Sequence, residues 1–214
     1  PFSRTTALLF CLSLTSLSFA EEVWLPANET ECRIEGWSKE THQHGLPVRS
    51  SAGIDAQVVG TLPAYVINFD SHNFGIEFQI IGSHLGWLKI RGAKDDPDRS
   101  RLPLRATYPG IGWIPGDSVA FMVQSGSGHL RPDAGSPKLL DLKGDWLTSM
   151  GRIEQVIACS GEWVLLDYSL TKQRNPQTLA LKRLSKAEQQ NSHERAWFRG
   201  VCANQETTCE TSWP

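Results

Sequence analysis

Strong charge of either sign is what this sequence most plainly lacks: 21 Lys and Arg stand against 23 Asp and Glu, a formal net charge of −2 at pH 7. That balance excludes binding to nucleic acid through a bulk basic surface, and no nucleic-acid partner is expected. Long apolar runs are equally scarce. Beyond the first 20 residues nothing approaches the roughly 20 apolar residues of a membrane-crossing helix, so no stable membrane span is expected. There is no serine elbow, no phosphate-cradling glycine loop and no dinucleotide fingerprint. His42 and His44 would share one face of a strand, but KETHQHG offers no third ligand, so neither a metal nor another cofactor is expected. Asp95, Asp96 and Asp98 share a loop with Arg99 and Arg101 and read as self-compensating surface charge.

What is present begins with an address. Arg4, the apolar run ALLFCLSLTSLSFA and the polar EEVW form the pattern of a secretory signal peptide over residues 1–20, with small residues at Ser18 and Ala20 before the expected cut. Cys11 follows Phe10, where a lipidated cysteine would follow small residues, so the leader is expected to be removed and not acylated. The expected product is a periplasmic chain with net charge −3. It retains four cysteines, Cys32, Cys159, Cys202 and Cys209, an even number that favours disulfides in an oxidising compartment. Cys202 and Cys209 enclose the short polar loop ANQETT, which would leave Cys32 and Cys159 for each other, although four cysteines allow three pairings.

The strongest internal signal is a duplication. LPVRSSAGIDAQVVGTL, GWLKI and GWIPGDSVAF recur in order as HLRPDAGSPKLLDL, GEWVLLDY and AWFRG. Val48 and Leu130, Trp87 and Trp163, and Trp113 and Trp197 then lie 82, 76 and 84 residues apart. A near-constant offset predicts two copies of one unit, over 46–124 and 128–210, preceded by a segment 21–45 that packs on the first. Short pieces rich in Val, Ile and Trp alternate with Gly, Pro, Asp and Ser, the pattern of antiparallel strands joined by tight turns. IEFQII before GWLKI, and IEQVIA before WVLLDY, each predict a hairpin with one buried face. Polar insertions follow, at 93–110 and 171–195. Residues 177–190 contain neither Gly nor Pro and carry Leu179, Leu181 and Leu184 among charged residues, which predicts a short helix.

At LPVRSSAG, VVGTL, GWLKI and GWIPGDSV the first copy resembles the bacterial SH3-like domain family. The second resembles it more faintly, with HLRPDAG in place of PVRSSAG and Ala196 where glycine is usual. The resemblance implies an all-β protein of two small SH3-like barrels in tandem and a binding, non-enzymatic role on peptidoglycan or a periplasmic protein. Trp87, Trp113, Trp163 and Trp197 are expected to fill the small cores, each following a turn or bulge. Tyr108 in ATYPG and Trp146 in KGDWLTS stand in turn-rich surroundings and are the expected contact aromatics. A free-standing inhibitor or immunity protein that occludes a wall-degrading or membrane-damaging enzyme is the alternative. A remote third reading takes Cys159 in ACSGEWV as a hydrolase nucleophile. Only 55 residues follow it, with His193 the one histidine among them, so no catalytic residue is expected.

Overall fold

The computed structural model describes residues 22–67, 73–205 and 209. The leader expected at 1–20, with Cys11, therefore lies outside the described residues. The protein is built of antiparallel strands with a few short helices.

The first repeat comprises β1 (Thr30–Ser38), β2 (Leu46–Arg49), β3 (Val58–Leu62), β4 (Val66–Ile67), β5 (Asn73–Phe74), β6 (Glu77–His84), β7 (Trp87–Lys94), helix α1 (Pro97–Ser100), β8 (Gly112–Pro115) and, after a single 3-10 turn, β9 (Val119–Ala120). The second comprises β10 (Met122–Val123), β11 (Ser127–His129), β12 (Lys138–Asp141), helix α2 (Leu147–Met150), β13 (Gly151–Ser160), β14 (Trp163–Leu170), β15 (Lys172–Arg174), β16 (Leu181–Arg183), helix α3 (Lys186–Asn191), β17 (Glu194–Phe198) and β18 (Val201–Cys202).

The strand order is the duplication made visible. The first sheet runs β3-β2-β8-β7-β6-β1-β9 and the second β12-β11-β17-β14-β13, so the five shared strands follow one order. β10 and β18 pair with each other as β1 and β9 do. Register sharpens the equivalence. Arg49 faces Val58 and Trp113, and His129 faces Lys138 and Trp197, with a bulge one residue earlier in both hairpins. Val48 therefore corresponds to Gly128, and the alignment of Val48 with Leu130 is two residues out. Leu130 had drawn the alignment as the first apolar residue of HLRPDAG, whereas the structural counterpart of Val48 carries no side chain.

Side chains alternate along the strands, but β14 and the tryptophan-bearing parts of β8 and β17 are buried on both faces, so the single buried face expected of the second hairpin does not hold for β14. Ile114 and Phe198 point into the core, so their neighbours Trp113 and Trp197 lie on the outer faces of the sheets. Buried apolar side chains of both repeats, among them Val48, Ile80, Ile90 and Ile114 with Val156, Leu166 and Phe198, form one continuous cluster. The expectation of two small cores gives way to this single one, because the edges of the two repeats are fused. Arg33 N–H donates to Gly161 O and Gly161 N–H to Glu31 O, and a disulfide joins Cys32 on β1 to Cys159 on β13. Beside that bond, Ser83 Oγ accepts the Cys159 N–H at 2.8 Å and Thr30 Oγ1 donates to the Cys159 carbonyl. The junction is tight enough that a Cβ at Gly116 would sit 1.9 Å from Val156 O. A second disulfide closes Cys202 to Cys209.

The insertions fold back on their own repeats, each through one arginine. Arg105, paired with Asp95 within its insertion, bonds outward to Ala64 O, while Arg174, which also donates to Leu179 O, bonds outward to Asp145. The helix expected over 177–190 forms only from Lys186 to Asn191, where Ser185 and Glu188 make a capping box. Upstream, Asn175 Oδ1 accepts from Gln177 and Thr178 N–H, Leu179 takes φ +58, and the chain closes the β15–β16 hairpin in place of a helical turn.

Candidate binding cleft between the repeats

Three parts of the chain meet at one end of the fused sheets. From the first repeat comes the tip of the β6–β7 hairpin, where His84 pairs with Trp87 across a turn of only two residues, Leu85 and Gly86. From the second come Gln155, Ile157 and Ala158 of β13 and Arg195 of β17. The third wall is the extended segment before β1, with Leu25, Pro26 and Asn28. Together they enclose a cleft of about 330 Å³ whose apolar lining is interrupted by His84, Asn28, Gln155 and Arg195, with no carboxylate lining it among the described residues.

Leu85 is the anomaly of this site. A two-residue hairpin turn with positive φ at both central positions suits Asn-Gly, since a Cβ in the left-handed region meets the following carbonyl. Here Leu85 has φ +48 and Gly86 φ +80. The leucine is also 78% exposed, so burial in this chain does not compensate the strain. Leu25 and Trp24, the latter 39% exposed, continue the apolar rim on the neighbouring wall.

The segment that carries them is held by main-chain chemistry. Trp24 N–H donates to Leu130 O at 3.0 Å, Trp197 Nε1–H donates to Trp24 O at 2.9 Å, and the two indoles lie 5.6 Å apart. Residues 21–45 were expected to pack on the first repeat, yet this part of them crosses the second, because the outer-face Trp197 offers both an apolar surface and a free donor.

The four tryptophans of the repeats play two roles. Trp113 and Trp197 are buried, though on outer faces. Trp87 and Trp163 are half-buried at the hairpin tips, immediately after the tight turns, and not inside the main core. Trp163 meets His129 edge-on at 5.4 Å. Tyr108 packs across Gly60, where a Cβ would come within 2.3 Å of its ring, so that aromatic seals a hairpin against the first insertion. Trp146 is partly exposed at the start of α2, on the surface of the second repeat. Neither Tyr108 nor Trp146 lines the cleft.

A second hollow, of about 460 Å³, lies where α3 leans on the second sheet, lined by Arg152, Glu154, Ser169, Lys186 and His193 among others. The one acid lining it, Glu154, is paired. Burial raises the pKa of the Glu154 carboxyl, but hydrogen bonds from Arg152 and Ser169 outweigh it and hold the group below the usual carboxylate value. Nearby, the buried Asp167 faces Arg195 at 3.3 Å and His193 Nε2 at 2.7 Å; its Oδ1 is satisfied only when that nitrogen carries the proton. Burial and the Glu194 carboxylate push the adjacent Tyr168 hydroxyl well above its ordinary value.

Cys159, the remote nucleophile candidate, is fully buried and its sulfur is committed to Cys32. The rings of His42 and His44 lie tilted, 5.0 Å apart, in an exposed turn, and among the described residues no group of three or more His, Cys, Asp or Glu could hold a metal. Among those residues no helix is long and apolar enough to cross a membrane, and two disulfides fit an oxidising compartment.

Sequence reasoning missed Leu85, Leu25 and Trp24. The first carried a readable signal, a leucine in HLGW where a two-residue turn calls for Asn or Gly; the other two lay in a segment without periodicity. Comparison with known protein families, with curated proteins and with solved structures finds no match for this chain.

Proposed function

We propose that this protein is an exported, non-catalytic binding protein of two SH3-like units, which grips a periplasmic protein through the cleft between its repeats. The single observation that carries the reading is Leu85: an exposed leucine in a strained turn has two unfavourable features in the free chain, and burial against a partner would offset both. The SH3-like assignment draws support from the repeated five-strand order and from the sequence resemblance. The second repeat keeps that strand order with a shorter connection between its last two strands, β17 and β18.

The chemistry of the cleft favours a protein over peptidoglycan as ligand. Its rim of Trp24, Leu25 and Leu85 suits an apolar side chain inserted from a partner surface, and Arg195 with His84 suits an acidic group beside it. The inhibitor or immunity reading is a special case, in which the partner is a wall-degrading or membrane-damaging enzyme. Affinity capture from a periplasmic extract with residues 21–214, run beside a pull-down on insoluble peptidoglycan, tests the proposal. One stoichiometric protein partner supports it, and assay of that partner for wall hydrolysis separates inhibitor from adaptor. Retention by peptidoglycan without a protein would overturn it.

A further inference from the structure

The outer faces of the two sheets correspond position by position, and an extended segment of the chain is bonded to only one of them. Across the second sheet Lys138, His129, Trp197 and Leu165 are neighbours; across the first, Val58, Arg49, Trp113 and Lys89 hold the same places. The side chains of Arg49 and His129 even reach equivalent carbonyls, Ala56 O and Ser136 O.

On the second face the extended segment around Trp24 is bound by two groups, the Leu130 carbonyl and the Trp197 indole N–H. Both recognise a peptide backbone and not a particular side chain. The first face offers the same two groups as Ser50 O and Trp113 Nε1, and no described residue bonds to either. Trp113 belongs to neither apolar cluster. It is nonetheless only 6% exposed, with the Lys89 ammonium 5.4 Å from the ring and tied to Glu29 in a partly exposed ion pair that an incoming peptide would displace. Such pairs contribute little and yield readily. The rims complete the contrast. Ala134, Lys138 and Arg195 border the segment-bound face, whereas Ile54, Val58 and Ile111, all exposed, stand at the same places on the first.

We infer that the outer face of the first repeat binds an extended peptide segment of a partner protein, one that presents an acidic residue followed by apolar and aromatic residues, in the way residues 22–26 lie on the second repeat. The acidic preference follows from Arg49 and Arg91, whose guanidiniums donate to the neutral Ala56 O and Gln79 Oε1, whereas the Lys89 charge is already met by Glu29. A second copy of the chain is a poorer occupant, because its own segment already sits on its own Trp197 at an intramolecular effective concentration in the millimolar range. This face is separate from the inter-repeat cleft and stands or falls independently of it.

The test is titration of the 15N-labelled protein with the capped peptide Glu-Val-Trp-Leu-Pro, read at the tryptophan indole N–H resonances. The Trp113 resonance moves saturably while that of Trp197, already bonded, stays in place. Trp113→Phe, which keeps an aromatic though smaller ring and removes the donor, weakens binding about 5-fold, the scale of one hydrogen bond. Ile111→Ser, at an exposed position, also weakens it without change in the thermal midpoint. A Trp113 resonance that does not respond at millimolar peptide, or that shifts with protein concentration alone, overturns the inference; the latter would assign the face to a second copy.

Discussion

Leu85→Asn should make the protein more stable and a poorer binder at once. The stability term comes from the backbone: a leucine in the left-handed region at φ +48 is disfavoured by about 1–2 kcal/mol, and Asn before Gly86 is the preferred pair for such a turn. Little burial is lost in exchange, since the leucine is 78% exposed. A net gain of about 1 kcal/mol corresponds to a rise of roughly 2–4 °C in the melting midpoint for a chain of this size. The binding term has the opposite sign. Full burial of a leucine against a partner contributes about 1.5–3 kcal/mol, so its loss lowers affinity about 10- to 150-fold. Thermal unfolding measures the first, and calorimetric titration with the captured partner the second. A fall in the midpoint would refute the strain argument, and unchanged affinity would remove Leu85 from the interface.

Three further outcomes follow from the same geometry. Replacing Cys32 and Cys159 together by Ala removes a cross-link spanning 127 residues and should cost about 5 kcal/mol in denaturant unfolding by loop entropy. The same change at Cys202 and Cys209, 7 residues apart, should cost only about half that. Stability should also fall in acid partly through Asp95: burial raises the pKa of its carboxyl, but hydrogen bonds from the Arg105 side chain and backbone outweigh it and leave the folded-state value depressed. That contribution is complete above the unfolded pKa of about 3.9 and disappears as the pH drops through the lower folded value. Asp95→Asn should therefore flatten the corresponding part of a stability-versus-pH curve.

Much of the architecture was legible because it rests on local pattern. Alternation in IEFQII specified the first hairpin, the matching order of IEQVIA and WVLLDY the second, and the recurring Gly-Trp landmarks disclosed the duplication. Register was less legible: a glycine at position 128 left Leu130 as the apparent counterpart of Val48, since apolar landmarks and structural positions need not coincide. The outer-face placement of Trp113 and Trp197 was hidden for a related reason. Period two says that Trp113 and Ile114 face opposite ways, but not which face is the core. The cleft was the least legible feature, because it arises where a hairpin tip, a strand of the other repeat and an unpatterned segment meet across more than 100 residues of sequence.

Hydrogen–deuterium exchange of the protein alone and with its captured partner tests the central claim most directly. The account predicts new protection confined to residues 23–28, the 83–87 hairpin tip and β13 around 155–158, the three walls of the cleft. Protection elsewhere, with these three segments unchanged, would contradict it.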